Sequence, residues 1–353
     1  MRYQLRPLRD QSIVITGASS GIGLNTARKA AAAGAKVTLV ARDEGALRAT
    51  VDQIVEAGGD AIFVVADVGD PQQAEAAATA AVARFGRIDT WVNDAGVTIY
   101  ALLRDTPIDE HQALFRTNYF GVVNGATAAL RHMRTSGGAL ITVGSVVADL
   151  PTPVLGAYAA SKHAVKGYIN SLRIELAADK VPVSVTLVKP GGIDTPIAQH
   201  AANHLEQEGL IPPPVYDPDL VTQAILDAAE HPRREITVGG MPRLQVLIGT
   251  HFPRLLDALS NPLIQMLSDP NEAPTRSDIV ASPVPEGQIR SGRQQGRRFS
   301  VYTWAARHRV ATTLGAAALA TGVIALVLRR GSADTLSAER PARLGGKRPG
   351  RGG

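Results

Sequence analysis

Thr16-Gly-Ala-Ser-Ser-Gly-Ile-Gly23 comes straight after the β-branched run Ser12 to Thr16 and opens an Ala-rich stretch that starts near Gly21. A strand that passes through a glycine turn into a helix brings backbone amides to the positive end of that helix, where a pyrophosphate can be held. Gly17, Gly21 and Gly23 leave side chains out of the way, and Ser19, Ser20 and Ile22 complete the candidate cofactor turn. The spacing is G-x-x-x-G-x-G, not the G-x-G-x-x-G of the commonest dinucleotide fingerprint, so its position after the first strand carries the reading.

Outward from that turn, short β-branched runs alternate with longer helical stretches as far as about Gly240, the pattern of a parallel sheet covered on both faces. Strands are expected at Ser12 to Thr16, Lys36 to Val40, Ala61 to Ala66, Ile88 to Asn93, Ala139 to Gly144, Val183 to Val188 and Glu235 to Val238. Helices are expected over Gly21 to Ala33, Asp43 to Ala57, Pro71 to Phe85, Asp109 to Arg134, Ala157 to Ala178 and Pro218 to Glu230. Gly34, Gly58 and Gly86 fall where left-handed cap residues belong. The fold class is therefore α/β, a doubly wound, mostly parallel seven-stranded sheet with a C-terminal helical extension.

The chemistry is concentrated in Tyr158-Ala-Ala-Ser-Lys162 and in Ser145, thirteen residues before the tyrosine. A Tyr and a Lys four apart project from one helix face, so the ammonium is expected near the phenol, favouring its ionised form. Hydride addition to a carbonyl builds an alkoxide, which needs a proton donor and a second hydrogen bond. Tyr158 suits the first task and Ser145 the second.

Other candidates lie at the carboxyl ends of strands, where open α/β sheets bind ligands. They are Asp67 and Val68 after the third strand, Asn93, Ala95 and Gly96 after the fourth, and Pro190, Gly191, Ile193 and Thr195 after the sixth. After the second strand, where an acid would bind the ribose hydroxyls of NAD, the chain has Ala41-Arg42. Arg42 offers a planar, permanent cation to a 2′-phosphate, so NADP(H) is expected over NAD(H), with Asp43 as a helix N-cap.

Together these elements resemble the short-chain dehydrogenase/reductase family, of the single-domain type, over roughly residues 10 to 240. The resemblance rests on Thr16 to Gly23, Asp67, Asn93 to Gly96, Asn118 in Asn-Tyr-Phe-Gly121, Ser145, Tyr158, Lys162, Pro190-Gly191 and Thr195. It implies a catalytic tetrad of Asn118, Ser145, Tyr158 and Lys162. It further implies that Lys162 binds the nicotinamide ribose, that Asn118 holds a proton-passing water, and that the chain forms a homodimer or tetramer through the helices at Asp109 and Ala157. Asp94 departs from the second Asn often found in the family.

The segment Pro196 to Tyr216 varies with substrate in such enzymes, and here it is mildly apolar, with Leu205, Leu210, Ile211 and Pro212 to Pro214. A lipophilic ketone or secondary alcohol is the expected small-molecule substrate. His200 and His204, four apart, are expected to mark a solvated helix face, and no metal site is expected. A dinucleotide-binding scaffold or redox sensor without turnover is the competing class, and intact catalytic positions speak against it.

Composition sets further bounds. The 353-residue chain has 45% apolar residues and no cysteine, so disulfides, thiolate nucleophiles and Cys-ligated metals are excluded. The net charge of +5 divides unevenly: residues 283 to 353 hold 13 Lys/Arg against 3 Asp/Glu, leaving 24 against 29 in the rest. A basic tail on an acidic body argues against a nucleic-acid-binding core.

The domain reading runs 1–240 for the catalytic domain and 241–267 for short amphipathic helices. A Pro/Arg-rich linker is expected over 268–309, a candidate transmembrane helix over 310–328, and a basic disordered tail over 329–353. Val310 to Leu328 is a charge-free run of 19 residues flanked by Arg307-His-Arg309 and Arg329-Arg330, long enough to cross a hydrocarbon core. A membrane-associated enzyme with a single C-terminal span is thus expected, its catalytic domain facing the cytoplasm, where its cofactor is supplied.

Overall fold

The structure, a computed structural model, describes residues 3–274, 280, 287–307 and 312. Seven parallel strands form the central sheet: β1 (Ser12–Thr16), β2 (Lys36–Ala41), β3 (Ala61–Val65), β4 (Thr90–Asn93), β5 (Gly138–Val143), β6 (Val183–Pro190) and β7 (Glu235–Val238). Their spatial order is β3-β2-β1-β4-β5-β6-β7. β1 lies between β2 and β4, with Ile13 in register with Val37 on one side and Thr90 on the other. The strand order reverses at β1, which opens the crevice where such sheets bind ligands.

Both faces of the sheet are covered, which is why its central strands are apolar almost throughout. Ile13 and Ile15 of β1 pack with α1 (Gly21–Ala32), α2 (Glu44–Glu56) and, through Leu220, Val221, Ala224 and Ile225, with α7 (Pro218–Glu230). Val14, pointing the other way, packs with α3 (Pro71–Phe85), α5 (Gly121–Met133) and α6 (Gly156–Ala178). Caps fix the helix starts: Asp43 accepts from the Ala46 amide at α2, and Asp70 from the Gln72 and Gln73 amides at α3, where Pro71 takes the first helical position. Gly34, Gly58 and Gly86 follow α1, α2 and α3 with φ of 88°, 84° and 79°, as expected.

Three expectations are corrected. The helix expected over Asp109 to Arg134 is instead α4 (Ile108–Phe115), a π-helical turn (Arg116–Phe120) and α5. Asn118 causes the interruption's lock: its side-chain oxygen accepts from the Val97 amide at 2.8 Å and its nitrogen donates to the Val97 carbonyl at 2.9 Å. A π turn inside a helix is a common sign of a functional position.

The His200/His204 region is not a helix. Ala202–Asn203 pairs with Ile99–Tyr100, and His204 Nε2 lies 2.8 Å from Glu110 Oε2.

The expected linker over 268–309 is also different where it is described. Residues 287–307 pack on the catalytic domain, ending in α11 (Val301–Arg307), which contacts β7 and α7. Composition misled because this segment binds through arginines and backbone groups rather than through apolar side chains. Residues 241–267, where short amphipathic helices are expected, include the helices α8 (Gly240–His251), α9 (Pro253–Ala258) and α10 (Ser260–Gln265). No helix among the described residues is long and apolar enough to cross a membrane. The candidate span 310–328, apart from Thr312, and the tail 329–353 lie outside the described residues.

Candidate active site

Thr16 ends β1 and ties the floor of the crevice together. Its hydroxyl donates to the Val92 carbonyl at 3.2 Å and accepts from the amides of Asp94 and Ala95 at 3.1 and 3.2 Å. The glycine turn then passes so close to this floor that a Cβ on Gly17 would lie 2.8 Å from the Ala95 backbone, at a φ of +70°. A Cβ on Gly23 would lie 2.2 Å from the Gly17 carbonyl oxygen, so Gly23 serves the packing of α1 against the turn and does not line the groove.

The groove has a volume of about 380 Å³. At one end it is lined by Gly17, Ser19, Ser20, Gly21, Ile22, Arg42, Asp67 and Val68, and in the middle by Ala95, Gly96, Pro190, Gly191, Ile193 and Thr195. At the far end stand Ser145, Tyr158 and Lys162. This long cleft, with the glycine turn and the start of α1 at one end and the polar side chains at the other, fits a dinucleotide.

Besides Gly23, two expected residues stand behind the wall instead of on it. Asn93 is buried, accepts from the Trp91 indole N–H at 2.8 Å and lies 3.5 Å from Thr142, so it joins β4 to β5. Asn118 is fully buried, and beyond Val97 its amide donates to Ser161 at 3.1 Å, whose hydroxyl donates to the Tyr158 carbonyl at 2.7 Å. Its side chain is thus spent on the loop after β4 and on the start of α6, the helix that carries Tyr158.

Ser145 follows β5, caps a short turn by accepting from the Val147 amide at 3.2 Å, and stands in the groove with the Tyr158 phenol. Burial pushes that phenol up to about 12, against the Ser145 hydrogen bond, with the Asp94 carboxyl adding to the rise. Lys162 Nζ donates to the Val143 carbonyl at 3.1 Å and sits 5.5 Å from the Tyr158 ring centre. Burial lowers its ammonium to about 8, opposed by Asp94. In the chain without cofactor, burial therefore keeps the phenol protonated at neutral pH.

Asp94 itself is pushed up to about 7 by burial, against the Lys162 charge and the Gly23 amide. Below the site, Lys189 at the end of β6 bridges Asp149 at 2.5 Å and Glu235 at 2.6 Å, and Lys166 of α6 also pairs with Asp149. This network anchors the Ser145-to-Asp149 turn to both neighbours of the active site.

The groove also has aliphatic walls that the sequence reading did not name: Val146, Val147, Leu150, Leu155, Ile197, Met266 and Leu267. Ile211 and Pro212 to Pro214 line it as expected, whereas Leu205 packs behind with Tyr100 and Leu267. Met266 and Leu267 lie about fifty residues downstream of the loop 196–216, so no local pattern announces them. Among the described residues no cluster of three His, Asp or Glu side chains forms a metal site.

The model of the family described as short chain dehydrogenase matches residues 11–206. The chain is 45% identical over 261 residues to the uncharacterized oxidoreductase YxnA of Bacillus subtilis, covering 73% of each chain. It is 37% identical over 190 residues to a hydroxysteroid 11-beta-dehydrogenase 1-like protein of Xenopus tropicalis, covering 53% of this chain and 66% of that one. Among solved structures it resembles a short chain dehydrogenase/reductase of Burkholderia phymatum in complex with NAD, with a TM-score of 0.65 at 27% identity, over 71% of this chain and 96% of the other.

A seven-stranded doubly wound sheet with a dinucleotide crevice, joined to that family match, makes the chain a member of the short-chain dehydrogenase/reductase family. It is an oxidoreductase acting on CH–OH groups with NAD or NADP as acceptor.

Proposed function

We propose that the chain interconverts a lipophilic ketone or aldehyde and the corresponding alcohol with NADP(H), Tyr158 serving as acid and base. The observation that carries this reading is that Ser145, Tyr158 and Lys162 line one groove together with the glycine turn. When bound, the nicotinamide supplies or accepts the hydride. Tyr158, protonated in the free chain, donates its phenolic proton to the carbonyl oxygen, and Ser145 holds that oxygen with a second hydrogen bond. Lys162, buried and cationic at neutral pH, stabilises the phenolate that Tyr158 becomes. Asn118 holds the start of α6 and thereby the phenol.

NADP(H) is favoured by Arg42, which lines the groove directly after β2 while Asp43 is turned to the α2 cap. A lipophilic substrate is favoured by the aliphatic walls at the catalytic end, and the name of the hydroxysteroid relative points the same way. The membrane-tethered reading rests on the charge-free run 310–328 and is supported by the exposed apolar side chains of α8 to α10, among them Leu244, Leu247, Phe252 and Leu255. A homodimer or tetramer is supported by exposed Ile108 and Phe120 beside α4 and α5 and by Ile174 on α6.

The test is NADPH oxidation by the full chain against a panel of lipophilic and sugar carbonyls. Tyr158→Phe should bind cofactor normally and lose turnover with every substrate. Turnover that survives this change would remove the assigned mechanism.

A further inference from the structure

Residues 287–297 lie beyond the stretch that the family model matches, yet they touch both halves of the active site. The Gly287 amide donates to the Ser19 carbonyl at 3.0 Å, and the Gln288 carbonyl accepts from the Gly21 amide at 2.9 Å. The segment is therefore paired with the cofactor turn on both sides of Ser20. Arg290 then reaches Asp217, at the start of α7, with two hydrogen bonds of 3.1 and 3.0 Å.

The next residues grip the substrate-side loop. Ser291 donates to Asp194 Oδ1 from its amide at 3.0 Å and from its hydroxyl at 2.5 Å, and its carbonyl accepts from Gln199 at 3.0 Å. Arg293 bonds Glu208 at 2.8 Å and Glu272 at 2.9 Å. Gln294 donates to the Ile211 carbonyl at 3.0 Å, and Arg297 exchanges backbone hydrogen bonds with Val215 and Asp217.

The carboxylates met here are buried: Asp194 is 3% exposed, Glu208 2% and Asp217 3%. Burying an ionised carboxylate is costly unless it is paired and hydrogen-bonded, so these contacts hold the segment down firmly. Ser19, Gly21 and Ile211 line the groove, and Asp194 lies between the groove residues Ile193 and Thr195. The segment thus ties the pyrophosphate end to the substrate end from outside the cavity.

We propose that residues 287–297 form a strap that presets the cofactor turn and the loop 194–217 for binding, with Arg290 and Arg293 as positioning residues. Neither arginine touches a reactant. Their effect passes through the ordering of Ser19 to Gly21 and of Asp194 to Asp217, because a site already held in its bound shape loses less freedom when ligand arrives. This goes beyond the proposed reading, since it concerns both dinucleotides and needs no knowledge of the substrate.

The test uses the full chain and reads dissociation constants for NADPH and NADH, hydrogen exchange of residues 17–23, and the melting midpoint. Arg290→Ala with Arg293→Ala should weaken both dinucleotides by about tenfold or more and speed exchange in the turn, and the paired Lys replacements should recover part of the loss. Gly287→Pro removes the donor to Ser19 at a φ of +110°, which proline cannot adopt, while leaving both ion pairs; it should weaken both dinucleotides with little change in midpoint. If the double variant does not fold, Gly287→Pro decides alone. Unchanged affinities in Gly287→Pro, or a loss confined to NADPH, would overturn the proposal; the latter is the signature of a change at Arg42.

Discussion

Lys162 gives a hydrogen bond to the Val143 carbonyl at 3.1 Å while its ammonium stands 5.5 Å from the Tyr158 ring centre. One backbone oxygen at the end of β5 therefore aims the cation beneath the phenol. Burial lowers this ammonium to about 8, so the charge is present at pH 7 and is lost as pH rises through that value. Carbonyl reduction should be level between about pH 6 and 7 and decline above about 8. A descending limb at the ordinary lysine range near 10 would contradict the assignment.

Ser145 accepts from the Val147 amide and lines the groove with Tyr158. Ser145→Ala removes the second donor to the developing oxyanion, and kcat should fall about 10²- to 10³-fold while dinucleotide affinity is unchanged. Comparing kcat with the dissociation constant of NADPH separates the two. A parallel loss of both would instead mean that the turn after β5 has collapsed.

Arg42 lines the cofactor groove, and Asp43 is used by the α2 cap. Replacing Arg42 with Ala should raise KM for NADPH by about 10- to 100-fold, the weight of a lost charged hydrogen bond, and leave KM for NADH nearly unchanged. Equal effects on the two cofactors would end the claim of NADP(H) preference.

Asp149 is held below the usual carboxylate range: burial acts to raise it, and hydrogen bonds and charge from Lys166 and Lys189 overcome that effect. A carboxyl whose folded value is depressed stabilises the fold above its unfolded value near 3.8 and loses that contribution as pH falls through its folded value. Asp149→Asn should therefore lower the melting midpoint at pH 7, leaving Lys189 buried without one of its partners, and flatten the dependence on pH below about 4. Melting curves between pH 2.5 and 7 check both the size and the sign.

Much of this was legible because local rules and the global fold agree. All seven strands follow from β-branched runs, and the cap at Asp43 follows from a short polar side chain before a helical stretch. Tyr158, Lys162, Ser145 and Arg42 stand in the groove because their spacing from strand ends sets their position.

What stayed hidden depends on contacts between distant parts of the chain. Asn93 reads like a groove residue by its place at a strand end, but the Trp91 indole and Thr142 turn it into the sheet, where Gly125 leaves room for it: a Cβ there would be 2.2 Å from the Asn93 side-chain oxygen. The π turn at Asn118 has no signature in helical periodicity, since its lock is the Val97 backbone 21 residues away. The docking of 287–307 was missed because its partners are three carboxylates scattered over residues 194–217, each unremarkable in sequence.

Those carboxylates bear on where the polypeptide can be cut. A version stopping after the seventh strand would take Ser291, Arg293 and Arg290 away from the buried carboxylates of Asp194, Glu208 and Asp217. The compact unit that carries the cleft therefore runs on to about Arg307, well past the point at which the sheet is complete.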